Sequence, residues 1–288
     1  METAAIDLKP PFVREDAPRH TLVMGVINVT PDSFSDGGDH FDTRTAISSG
    51  LKMLRDGADI IDVGGESTRP GSEALDVKEE VRRAVPVIEA IAKQQPDAVI
   101  SVDTRRRQVA EQAIKAGATI INDISGFRDD PSMVDLARET GSGVIVMHML
   151  GKPKTMQQDI RYKSFPGDLI EFFRERIRYI EDAGIDPGRI VIDPGIGFGK
   201  TFDQNLILIN RLGLFSSLGK PTLVGASRKA FIGKILDEPR AADRDMGTMA
   251  AVAASVLRGA SIVRVHDVHS AVRICRVADA IVRERAEP

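Results

Sequence analysis

The sequence predicts a single-domain (β/α)8 (TIM) barrel, an α/β fold, with a short N-terminal extension. Three observations predict it. The chain has 288 residues, close to the roughly 250 that one closed barrel takes. Short β-branched runs recur about eight times, each followed by a polar loop and a helix-like stretch. No linker, charge block or low-complexity segment divides the chain. Hydrophobic residues make up 42% and charged residues 28%, a balance that suits a folded protein and excludes a disordered one.

The runs read as strands are Leu22–Val29, Ile60–Val63, Val99–Val102, Thr119–Ile121, Val144–Met147, Ile190–Ile192, Thr222–Val224 and Ile262–Val265. They are continuously apolar rather than alternating, as burial on both faces of a parallel sheet requires. The stretches between them have helical spacing. Leu169, Phe172, Phe173, Ile177 and Ile180 form one stripe, with Glu171, Arg174, Glu175 and Arg178 on the other side. Gly117, Gly141, Gly184 and Gly259 stand where helices end before the next strand. An open doubly wound sheet has the same periodicity, because strand order is not written in it. Residues 1–19 form the extension, and the barrel is expected over residues 20–288.

Composition narrows the function classes. Lys and Arg total 39 against 42 Asp and Glu, a formal charge of −3, so no broad electrostatic attraction to nucleic acid or an anionic membrane is expected. One cysteine, Cys275, excludes an intramolecular disulfide or a multi-cysteine metal site within the chain and suits a reducing compartment. No apolar stretch approaches the roughly 20 residues that span a bilayer. Met1 to His20 hold acids and prolines but no apolar secretory core. A cytoplasmic protein is expected.

Barrel chemistry collects at the C-terminal ends of the strands, and here every strand ends in polar residues. In order these are Asn28; Asp62 and Glu66; Asp103; Asn122 and Asp123; His148 between Met147 and Met149; Asp193; Ser227 to Lys229; and Arg264, His266 and Asp267. Singly, Asp and Asn are as readily caps and turn formers. A polar residue at every strand end describes an active-site mouth. Three weaker signals have bland readings. Gly195 to Thr201 misses the phosphate-loop pattern, because its first glycine position falls on Pro194. Arg105-Arg106-Arg107 reads as a solvated helix start, and Cys275 as inert packing. Strand periodicity leaves open which way His148 faces.

Long ordered motifs carry a family resemblance. The segments Gly25 to Gly38, Asp62 to Gly71, Ser101 to Thr104, Asn122 to Ile124, Asp193 to Lys200, Ser227 to Lys229 and Arg264 to Val268 resemble the signatures of dihydropteroate synthases, from about Thr21 to the C-terminus. The resemblance implies a transferase that joins p-aminobenzoate to 6-hydroxymethyl-7,8-dihydropterin pyrophosphate with Mg²⁺, releasing pyrophosphate, and a homodimer formed through late helices. It places Asp193 and Asn122 on the pterin's hydrogen-bonding edge, Lys229 at the ring carbonyl, and Ile124, Met147 and Phe198 with the pterin. Asp103 would stabilise a carbocation-like centre. Arg264 and His266 would receive the pyrophosphate with Asn28, Thr68 and Arg69, Asn28 also facing the metal.

Phe34, Thr68, Arg69 and Pro70 would contact p-aminobenzoate or order two mobile loops, Thr30–Gly38 and Ser67–Gly71. Ser227 would hold its carboxylate through hydroxyl or amide, and sulfonamides would compete there. Two other readings share the pterin-binding barrel: a methyltetrahydrofolate–corrinoid methyltransferase, which would need a corrinoid protein partner, and a non-catalytic pterin-binding paralogue.

Overall fold

The computed structural model describes residues 12, 20–29, 39–67, 71–73 and 75–286. Eight parallel strands alternate with helices. They are β1 Leu22–Asn28, β2 Ile60–Gly64, β3 Val99–Asp103, β4 Ile120–Asp123, β5 Gly143–Met147, β6 Ile190–Asp193, β7 Leu223–Val224 and β8 Ile262–Val265. The helices are α1 Asp39–Arg55, α2 Val77–Gln94, α3 Arg107–Lys115, α4 Met133–Thr140, α5 Gly167–Asp182, α6 Phe202–Asn210, α7 Ala230–Leu236, α8 Asp245–Leu257 and α9 Val268–Arg283. Several strands run past their apolar core to include the polar residue that ends them, as β3 includes Asp103 and β6 includes Asp193.

Strand order settles the architecture. The hydrogen-bonded order runs β6-β5-β4-β3-β2-β1-β8-β7, and an isolated bridge between Ile192 and Thr222 joins β6 to β7. The ring closes into a barrel, and the open doubly wound alternative is excluded. Helix ends follow their chemistry. Asp76 caps α2 by accepting the Lys78 amide at 2.9 Å, and Thr201 with Gln204 forms a reciprocal capping box on α6.

Side-chain parity divides the core. Val23, Ile27, Ile61, Val63, Ile100, Val102, Val144, Val146, Ile192 and Val263 pack outward under the helices. Leu22, Met24, Ile60, Ile120, Ile145, Val191, Leu223 and Ile262 fill the interior. Phe12 joins this inner cluster and is 1% exposed. It lies in the segment that the sequence sets apart as an extension, yet its ring stops the end of the barrel opposite the polar rim.

Phe12→Ala should therefore lower stability by about 3–5 kcal/mol, the usual cost of emptying a buried phenylalanine site. Urea unfolding checks this; a loss below about 1 kcal/mol would mean the ring is dispensable.

Candidate active site

The same inward parity carries the strand ends into one mouth. Alternation of side chains continues the inner layer upward to Asp62 on β2, Asp103 on β3, Asn122 on β4, Met147 on β5, Asp193 on β6 and Arg264 on β8. Asp62 is fully buried, and the Arg264 guanidinium lies between it and Asp103. Arg264 Nε donates to Asp62 Oδ2 at 2.6 Å, and its Nη2 donates to Asp103 Oδ2 at 2.7 Å. Asn122 Nδ2 donates to the same Asp62 oxygen at 3.2 Å.

Two carboxylates thus share one cation. Burial pushes Asp103 up to about 7; Arg264 opposes this, and Asp62 adds to it. Burial also works against the Arg264 charge, but Asp62 and Asp103 more than offset it and hold the guanidinium firmly protonated.

Opposite this cluster, Asp193 is buried, and its Oδ1 accepts the Gly195 amide at 2.7 Å. Desolvation raises its carboxyl, while Lys200, Lys229 and Arg264 pull the other way. Lys229 follows β7, with Nζ 4.1 Å from the centre of the Phe198 ring. Desolvation and repulsion from Arg264 bring its ammonium down to about 8. The close approach depends on Gly197, at φ 84°, where a Cβ would stand 3.1 Å from Lys229 Cδ.

Arg228, between Ser227 and Lys229, adopts a left-handed φ of 58°. It is held there on several sides. Its amide donates to Thr248 Oγ1 at 2.9 Å, its guanidinium grips Asp245 at 2.7 and 2.8 Å, and its carbonyl accepts from Arg244 at 3.0 Å. Ser227 turns its hydroxyl to His266: Oγ lies 2.9 Å from Nδ1 and accepts the His266 amide at 3.2 Å. Burial, then the Arg228 and Arg264 charges, push His266 down to about 3, so its imidazole is neutral.

Ile124, Met147 and Phe198 pack together with Met149 and Met156 as an apolar cluster at the mouth. Met147 faces inward, and His148 faces the other way. The His148 ring meets Phe172 edge-on at 4.8 Å, and its Nδ1 lies 2.9 Å from Lys200 Nζ. Lys200 also donates to the carbonyls of His148 at 2.8 Å and Phe198 at 3.0 Å. It thereby ties the β5 rim to the loop that carries Asp193.

Asp62, Lys200, Met149 and Met156 are participants that sequence reasoning gave no role. Inward parity with Ile60 marks Asp62; no local pattern marks Lys200. The arginine run is not a solvated face. Arg105 and Arg106 pair with Glu66 at 3.2 and 3.0 Å, Arg105 also with Asp129 at 2.6 Å, and Arg106 reaches buried Glu80.

Asn28 ends β1 beside Gly64, half-buried. Among the described residues no three His, Cys, Asp or Glu side chains are grouped to hold a metal. A single neutral amide oxygen, with Asp62 and Asp103 engaged by Arg264, fits a Mg²⁺ ion held mainly by phosphate oxygens and water. Phe34, Thr68, Arg69 and Pro70, and the loop Thr30–Gly38, lie outside the described residues.

The chain matches the family model of pterin-binding enzymes over residues 24–266. It is 46% identical to a dihydropteroate synthase of Synechocystis over 265 residues, covering 92% of this chain and 91% of the relative. The dihydropteroate synthase of Xanthomonas albilineans solved with 4-aminobenzoic acid superposes with a TM-score of 0.84 at 42% identity, covering 92% of this chain and 93% of that one. The same enzyme in complex with 7,8-dihydropteroate gives 0.82 at 39%, covering 91% and 94%. Motifs, barrel and relatives agree, and the chain belongs to the dihydropteroate synthase family of pterin-binding enzymes.

Proposed function

We propose that this protein joins p-aminobenzoate to 6-hydroxymethyl-7,8-dihydropterin pyrophosphate, giving 7,8-dihydropteroate and pyrophosphate in folate biosynthesis. One observation carries the reading. A single barrel mouth holds a buried carboxylate suited to a pterin edge, a second carboxylate beside Arg264, and a neutral histidine ringed by cations. A corrinoid methyltransferase needs no such arginine–histidine pair, and the family relatives do not point to one.

Asp193 accepts the two parallel N–H bonds of the amino-pyrimidinone edge, a bidentate match to a carboxylate. Asn122, whose Nδ2 donates to Asp62, adds its amide to the same edge in this reading, Lys229 donates to the ring carbonyl, and the Met147–Phe198 cluster takes the ring faces. As the methylene C–O bond breaks, its electron pair leaves with pyrophosphate. The positive charge left on the methylene and ring is stabilised by the fixed Asp103 carboxylate. The p-aminobenzoate nitrogen then supplies the electron pair of the new C–N bond and loses a proton.

Arg264 and His266 receive the leaving group. Mg²⁺, when bound, supplies further positive charge to the pyrophosphate oxygens, and Asn28 would hold it. The loops bearing Phe34 and Thr68–Pro70 complete the p-aminobenzoate pocket in this reading.

The reading includes a homodimer. Phe202 and Leu206 of α6, Ile235 and Leu236 of α7, and Met246 and Leu257 of α8 are exposed apolar residues on late helices. Among the described residues no helix is long and apolar enough to cross a membrane, and we place the protein in the cytoplasm, where its one buried thiol would stay reduced.

Purified protein with the pterin pyrophosphate, p-aminobenzoate and Mg²⁺ should yield dihydropteroate by chromatography, and chelation should abolish it. Folded protein that binds the pterin but forms no product would be the non-catalytic paralogue. Asp193→Asn should weaken pterin binding about 100-fold, the scale of losing charge-assisted hydrogen bonds. Asp103→Asn should instead lower kcat by about 10²–10³-fold with little change in pterin affinity, and equal losses would remove its assigned role. Because the charged form of Asp103 is the active one, kcat/KM should fall as pH drops through about 7. That acid limb should vanish in Asp103→Asn; a limb that persists would belong to another group.

A further inference from the structure

We propose that Ser227 is a positioning residue for His266: its hydroxyl sets the imidazole tautomer that presents Nε2–H to the departing pyrophosphate. The proposal rests on the synthase reading and deepens one part of it. The resemblance assigns Ser227 to the p-aminobenzoate carboxylate, but its hydroxyl is engaged elsewhere. Oγ accepts the His266 amide at 3.2 Å and lies 2.9 Å from the Nδ1 of the same residue. The side chain therefore grips both the backbone and the ring of one histidine, across the rim from β7 to β8.

The hydroxyl has one proton and two acceptor lone pairs. With the His266 amide occupying one lone pair, donating the proton to Nδ1 satisfies both ends of the contact. The ring proton then resides on Nε2. The opposite tautomer, with Nδ1–H donating to Oγ, would aim an Nε2 lone pair at an anion. A histidine here must act through its tautomer rather than its charge. Burial, and then the charges of Arg228, Arg264 and Lys229, hold the ring neutral. Those cations draw the anion, and a neutral Nε2–H adds a directed donor without a further desolvated charge.

The β7 loop is built to hold this geometry. Ser227 is 8% exposed, and the left-handed Arg228 after it is fixed through Thr248, Asp245 and Arg244. The hydroxyl is thus presented from a rigid support, as tautomer control requires.

The test combines Ser227→Ala and Ser227→Thr with ¹⁵N-histidine NMR and steady-state kinetics. In the wild-type protein His266 should be a single neutral tautomer, with Nε2 protonated, already before substrate is added. Ser227→Ala should give a mixture of tautomers, an approximately tenfold fall in kcat, the scale of one hydrogen bond, and a matching loss of inhibition by inorganic pyrophosphate. Its KM for p-aminobenzoate should stay unchanged. Ser227→Thr, which keeps the hydroxyl, should restore the tautomer and most of the rate.

A wild-type His266 protonated at Nδ1 would overturn the proposal. So would a Ser227→Ala effect confined to KM for p-aminobenzoate, or one that Ser227→Thr fails to rescue. The NMR readout needs no turnover, so it separates failure of this inference from failure of the synthase reading.

Discussion

Two buried carboxylates divided over one guanidinium set the terms for everything at the rim. Arg264 reaches from β8 across the lumen to Asp62 on β2 and Asp103 on β3. Such clusters contribute little net stability, because desolvation consumes most of the Coulomb gain. What they fix is position and charge. Asp62, fully buried, claims part of the arginine and leaves Asp103 incompletely neutralised. An incompletely neutralised carboxylate has negative potential left for a cation formed during reaction. Full pairing would have spent that potential before the substrate arrived.

The facing wall solves the complementary problem, a carboxylate that must stay charged with little solvent. Asp193 is turned by the Gly195 amide, and the loop that supplies this amide is tied to β5 through Lys200. Gly195 itself, at φ 71°, passes so close to the His148 carbonyl that a Cβ there would stand 2.1 Å away. Gly195 and Gly199 thus serve close packing against the chain that follows β5, and Gly197 the approach of Lys229, consistent with the failed phosphate-loop pattern. The mouth is held firmly on the Asp193 side because its polar side chains hold backbone as well as one another.

The fold was legible because burial on both faces leaves continuous apolar runs, which mark a parallel strand without any tertiary knowledge. The site was legible where chemistry coincides with a strand end: Asp103, Asn122, Asp193, Arg264 and His266 all come to one mouth. What escaped depends on geometry between distant segments. His148 and Met147 are neighbours whose roles divide by parity, and the phase of that parity is fixed only by the barrel. Lys200 finds its partners through loop conformation, and Ser227 finds His266 only because β7 and β8 pair. The arginine run after Asp103 resembles a surface feature until Glu66 and Glu80 arrive from other units. Phe12, in a proline-rich lead, has no periodic context at all.

The short β7 strand gives the barrel an uneven circumference. It pairs with β8 through two residues and meets β6, among the described residues, at the single Ile192–Thr222 bridge, whereas β5 and β6 share a four-residue register. Asp193 stands on one side of this thin seam and Lys229 on the other. A ring bound by both residues is therefore a rung between strands that backbone hydrogen bonds join only weakly. At about 100 times its dissociation constant a ligand adds roughly 2.7 kcal/mol to the stability of the folded state, and one that touches both residues also links strands whose own pairing is the shortest of the barrel.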